Sequence, residues 1–101
     1  MARDTDNRIE IENVGQPGKT YRVDAAKFAA MREAVLKVLP DTAPGLPVDA
    51  VIAAVKPLLS EELFPGGEKA GWWVKAVQLD LEAKKTIART PSPVRLYRLE
   101  G

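Results

Sequence analysis

The side chains with the most chemistry to offer are cationic and lie near the C-terminal end. From Lys84 to Leu99 the chain carries Lys84, Lys85, Arg89, Arg95 and Arg98, and no acid. From Ser60 to Ala83 the balance reverses, with five acids against two bases. Clustered ammonium and guanidinium groups suit phosphate, so the basic stretch is a candidate nucleic-acid contact. The competing reading is a hairpin whose charges guard an exposed sheet edge. The neighbouring tryptophans Trp72 and Trp73 are the next feature. Adjacent helix residues point about 100° apart, so one core cannot take both rings equally. Trp73 is assigned to the core. Trp72 falls on another face, where it either packs under other parts of the chain or anchors a partner.

Catalysis has little to work with. The chain has no histidine and no cysteine. Ser-His-Asp triads, thiolate zinc sites, cysteine nucleophiles and the usual general base are therefore excluded. The stretch Gly66-Gly67-Glu68-Lys69-Ala70-Gly71 precedes a helix but lacks the Gly-Lys-Ser/Thr of a P-loop. Glu68 also places a carboxylate where a phosphate would sit. Asp41 with Glu82-Ala83-Lys84 spells fragments of a metal-nuclease motif. That motif needs a strand, whereas residues two apart on a helix diverge. No metal, no cofactor and no enzymatic activity are expected.

Positioning elements follow from punctuation and periodicity. The chain has 101 residues, a net charge of +1 and 46% apolar residues, which describes one modest globular domain. Residues 1–8 are polar and expected to be loose, leaving 9–101 as the single domain. Alternation at Ile9 and Ile11, then at Tyr21 and Val23, predicts a short β arm around the turn Gly15-Gln16-Pro17-Gly18. A first helix is predicted from Asp24, its N-cap, to Leu39, with Val23 and Phe28 as a hydrophobic staple and Pro40 as the stop. Pro47 opens a second helix, which ends or kinks before Pro57. Ser60 to Leu63 makes one further turn.

A third helix is predicted from about Glu68 to Lys85, and it has two apolar stripes. Ala70, Trp73, Val74, Val77 and Leu81 form one. Trp72, Ala76, Leu79 and Ala83 form the second, on nearly the opposite side. Lys75, Gln78, Glu82 and Lys85 occupy one flank between them, and Asp80 the other. Ile87–Thr90 and Val94–Leu99 then read as two strands around Pro91-Ser92-Pro93, with the prolines confining this hairpin to an edge. Nothing approaches the roughly 18 apolar residues of a membrane span, and Met1–Arg8 has no secretory pattern. A soluble cytoplasmic protein is expected, which the lack of cysteine fits.

Arg22-Val23-Asp24-Ala25-Ala26-Lys27-Phe28 and Phe64-Pro65-Gly66-Gly67-Glu68-Lys69-Ala70-Gly71-Trp72-Trp73, continued through Val74 to Lys84, resemble a family of small uncharacterised bacterial proteins. This resemblance covers the chain from about residue 9 onward, and the Trp-Trp block with Leu79-Asp80-Leu81-Glu82-Ala83 is its more specific half. It implies no activity and no functional residues. The order of elements is similar to that of winged-helix domains, which bind DNA or proteins.

The expected fold is therefore α+β and winged-helix-like: three helices, a C-terminal β-hairpin wing and a short N-terminal β arm. The expected function is a non-enzymatic binding module acting by protein interaction or homodimerisation, with Trp72, Ala76, Leu79 and Ala83 as the partner interface. The alternative is a nucleic-acid binder using Lys75, Gln78, Lys85, Arg89, Arg95 and Arg98. Glu82 on the same flank, and the apolar stripe itself, argue against sequence-specific reading of a major groove.

Overall fold

The computed structural model describes residues 8–90 and 94–99. Residues 1–7 and the expected turn at Pro91-Ser92-Pro93 lie outside that set. β1 (Arg8–Glu12) and β2 (Thr20–Asp24) pair antiparallel, with Ile9 opposite Val23 and Ile11 opposite Tyr21. The arm is thus a regular hairpin, and it begins at Arg8, one residue earlier than the apolar alternation indicated. Asn13 shapes its turn by accepting the Gly15 N–H through Oδ1 at 2.7 Å and the Gln16 N–H through its carbonyl at 2.9 Å. Ile11 is buried in the core, so the hairpin is packed onto the domain.

α1 (Ala25–Val38) starts where the sequence places its cap. Asp24 Oδ1 accepts the Lys27 N–H at 3.0 Å, satisfying one of the orphan donors of the first turn. Phe28, Met31, Ala34 and Val35 are buried, a spacing of three and four that gives one inward face. Leu39 turns extended ahead of Pro40, whose ring disfavours helical geometry in the residue before it. α2 (Val48–Val55) buries Val51 and Val55. A 3-10 turn at Lys56–Leu58 follows, because Pro57 has no N–H with which to continue an α-helix. Ser60 Oγ then accepts the Leu63 N–H at 3.2 Å, the expected extra turn. Phe64, just after that turn, is buried and meets the Trp73 ring edge-on at 6.2 Å.

One strand escapes the sequence patterns. β3 (Leu46–Pro47) has two residues, too few for any alternation, and precedes α2 directly. It pairs antiparallel with β5 (Arg95–Arg98), Leu46 standing opposite Leu96. β4 (Ile87–Thr90) pairs with the other side of β5, so the sheet order is β3-β5-β4. This corrects the edge assignment of the C-terminal hairpin: β5 is the central strand of three, and β4 and β3 form the edges. Arg98 supports this join by donating its backbone N–H to the Pro40 carbonyl at 2.7 Å.

α3 (Ala70–Ala83) is shorter at both ends than its periodicity indicates. Lys85 lies beyond it with φ 62°, in the left-handed region. The Thr86 N–H reaches the Leu81 carbonyl at 2.8 Å and the Lys85 N–H reaches Glu82 at 3.1 Å, so the helix closes in a Schellman motif. The core gathers the inward faces of all three helices with Ile11, Ile87 and Leu96 from the strands. The protein is a mixed α+β fold with two small antiparallel sheets.

Candidate interaction surface

α3 is central because it has packed neighbours on three sides. Its inward stripe is as expected: Ala70, Trp73, Val74, Val77 and Leu81 are all buried. Both polar flanks are occupied as well. On one, Asp80 is only 1% exposed, although the sequence offered it merely as a flank residue. Its Oδ1 accepts the Glu12 backbone N–H at 2.8 Å and the Lys84 ammonium at 2.6 Å. Next to it, the Leu79 carbonyl accepts the Val14 N–H at 3.3 Å. These contacts tie β1 and the start of the hairpin turn to the helix.

The opposite flank holds the C-terminal sheet. Glu82 receives Arg89 through two parallel bonds, Nε to Oε1 at 2.8 Å and Nη2 to Oε2 at 3.0 Å. This fork matches carboxylate geometry, and the bond to Glu82 raises the Arg89 pKa above its ordinary value. Gln78 donates Nε2 to Glu82 Oε2 at 2.7 Å, so the same carboxylate joins helix and strand. Gln78 is 1% exposed and its Oε1 has no hydrogen-bond partner among the described residues. Helical periodicity puts Gln78 on a polar flank with Lys75, Glu82 and Lys85. It is instead enclosed, and Glu82 links it to Arg89 of β4.

The second stripe divides into an open and a covered part. Trp72 is 57% exposed, the most exposed large apolar side chain among the described residues. It touches Trp73 edge-on, with ring centroids 5.0 Å apart. Farther along, Ala76 and Leu79 face the hairpin's apolar side. The space between them is a groove of about 360 Å³, walled by Ile11, Tyr21 and Val23 and by Trp72, Ala76 and Leu79, with Lys75 at its side. Ala83 lines a smaller hollow of about 210 Å³ beneath the hairpin turn with Val14 and Pro17. The N-terminal arm thus covers the C-terminal half of the stripe and leaves Trp72 uncovered. Tyr21 also stands in the open, at 42% exposed.

The basic residues are not brought together as one patch. Arg89 is held by Glu82, and Arg98 donates Nε to the Leu39 carbonyl at 3.0 Å, where it helps cap α1. Lys84 is held by Asp80. Lys75, Lys85 and Arg95 make no ion pair among the described residues. Lys85 is displaced from the α3 flank by its left-handed backbone.

Among the described residues no group of three or more Asp or Glu side chains is placed to hold a metal ion. No helix among them is long and apolar enough to cross a membrane. A family model, that of the family of unknown function DUF6958, matches residues 8–96, from the first strand of the hairpin to the central strand of the C-terminal sheet. No curated protein and no solved structure matches the chain.

Proposed function

Since this chain belongs to DUF6958, a family of unknown function, we propose a role drawn from its own surface: a small non-enzymatic module that docks a protein partner on the outward face of α3. The observation that carries this reading is Trp72. A tryptophan 57% exposed beside an apolar groove is a large cost in water unless something covers it. Large aromatic side chains with a polar rim are the usual anchors of protein interfaces. The lack of histidine and cysteine supports a binding role over a catalytic one, and the lack of cysteine suits a reducing cytoplasm.

The architecture we infer is of the winged-helix type. Its support is the order α1, β3, α2, α3, β4, β5, in which the short strand between the first two helices joins the C-terminal hairpin in one sheet. A domain of this kind that reads DNA places its last helix in the major groove. Here the outward face of that helix carries Trp72, Ala76 and Leu79, with Trp72 open and the hairpin packed near Leu79. Three of the expected phosphate contacts, Gln78, Arg89 and Arg98, make hydrogen bonds within the chain. Protein docking therefore has the better support.

The test is a photo-crosslinking residue at position 76, beside Trp72, in the full chain expressed in its native cells. A discrete adduct that disappears when Trp72→Ala is added supports the proposal. No adduct, or an adduct indifferent to Trp72, removes it.

A further inference from the structure

We infer that the groove between the hairpin and α3 binds a small aromatic carboxylate, its ring in the recess over Ala76 and its anion on Lys75. This goes beyond the docking reading and does not rest on it, since the ligand is a free small molecule and not a segment of a protein. Three observations carry it.

The first is the shape of the groove. It encloses about 360 Å³ between two separate elements, a volume in the range of small-molecule sites. Trp72, Ala76 and Leu79 stand four and three residues apart on α3, so they form one row along the helix. The middle residue of that row is the small one. The row is therefore hollow between two large side chains, and the hollow faces the hairpin.

The second is the opposite wall. Ile11 pairs with Tyr21 and Ile9 with Val23, which puts all four side chains on one face of the hairpin. Ile11 is 4% exposed and forms a closed floor. The Tyr21 hydroxyl donates to Gln16 Oε1, a bond that holds the ring in place. An aromatic ligand entering here meets Tyr21 on one side and Trp72 on the other, both already positioned.

The third is charge. Glu12, Arg22 and Lys75 all line the groove. Alternation along the strands turns Glu12 and Arg22 to the hairpin face opposite Ile11, Tyr21 and Val23. Lys75 is exposed at the side of the groove. Its neighbours one turn away on α3 are Gly71, Trp72, Gln78 and Leu79, none of them an acid. It makes no ion pair among the described residues. An ammonium group beside apolar walls is complementary to an apolar body carrying one negative charge.

The experiment titrates the isotope-labelled full chain with cinnamate and, separately, with its neutral amide cinnamamide, and follows backbone and indole N–H signals by NMR. Saturable shifts are expected at the Trp72 indole and at the backbone of Tyr21 and Ala76. Cinnamate should bind about threefold to fivefold more tightly than cinnamamide, the strength of one exposed ion pair. Lys75→Gln should abolish that preference, and Lys75→Arg should keep it. Ala76→Phe fills the recess and should abolish binding of both probes. The Lys75 variants are at an exposed position, so they keep the test open should Ala76→Phe unfold. The inference is overturned by an absence of saturable shifts, by equal affinity for acid and amide, or by an acid preference that survives Lys75→Gln. Binding that persists in a folded Ala76→Phe variant overturns it as well. A failed titration beside a Trp72-dependent crosslink overturns the ligand alone. A saturable, Lys75-dependent titration with no crosslink supports the ligand and overturns the docking reading.

Discussion

At the scale of single residues, similar amino acids have opposite duties. Trp73 is 8% exposed and held between Phe64 and Trp72, so Trp73→Ala should cost about 3–5 kcal/mol in urea unfolding. Trp72→Ala should cost only about 1 kcal/mol, the loss of one edge-on ring contact. Equal costs would show that Trp72 belongs to the core. Gly45 is a second sharp case. Its φ is +93°, and an added Cβ would lie 2.2 Å from the Leu96 carbonyl oxygen, where β3 meets β5. Gly45→Ala should therefore lose at least about 3 kcal/mol, through both backbone strain and forced separation of the strands. Lys85 is the reverse. It spends strain in the left-handed C′ position that glycine fills at little cost, so Lys85→Gly should raise stability by about 0.5–1 kcal/mol. A thermal melt of that variant checks the sign.

At the scale of elements, α3 is the axle on which two β units are mounted by different chemistry. The hairpin hangs on Asp80, a buried carboxylate shared by the Glu12 N–H and Lys84. Asp80→Ala should remove about 1.5–3 kcal/mol. It should also raise hydrogen exchange at Glu12 and Val14 well before exchange rises in α1. Uniform loss of protection would mean that the hairpin and helices open as one unit. The C-terminal sheet hangs on the Glu82–Arg89 fork. Because the bond raises the Arg89 pKa, its share of stability is complete below the ordinary arginine range and is lost only as pH rises past the raised value. The arginine side of this join is therefore insensitive to pH through the neutral range. Glu82→Ala should be more harmful than Arg89→Ala, because it also leaves the buried Gln78 amide without its acceptor. Urea midpoints of the two variants compare them directly.

At the scale of the whole molecule, near-neutral net charge hides a dispersed arrangement. Of the six candidate nucleic-acid contacts, three are engaged internally, and Lys75, Lys85 and Arg95, which have no ion pair among the described residues, come from three different elements or loops. Mixed-sequence duplex DNA titrated by fluorescence anisotropy should accordingly show weak binding, with a shallow salt slope of only about two to three released ions. A steep slope would mean that more of these cations reach phosphate than the internal pairs allow. The apolar surface, by contrast, is concentrated. Trp72 and Tyr21 flank one groove between hairpin and helix, and this concentration favours a protein partner.

Local chemistry was legible from the sequence wherever it involved neighbours in the chain. The Asp24 cap, the Pro40 stop, the Pro57 break and the two stripes of α3 all depend on contacts within a turn or two, and the residue types alone determined them. The overall α+β order followed from the same short-range signals. What lay between distant segments was decided only by tertiary structure. A two-residue strand at Leu46–Pro47 has no periodicity and exists because Leu96 is there to pair with it. Gln78 is polar and sits on a polar flank, yet it is buried, bonded to the Glu82 carboxylate that also holds Arg89 of β4. Trp72 has two readings on sequence alone, and its 57% exposure depends on where the hairpin lies. Helical periodicity says which way a side chain points. Which segment arrives to cover it depends on the three-dimensional path of the rest of the chain.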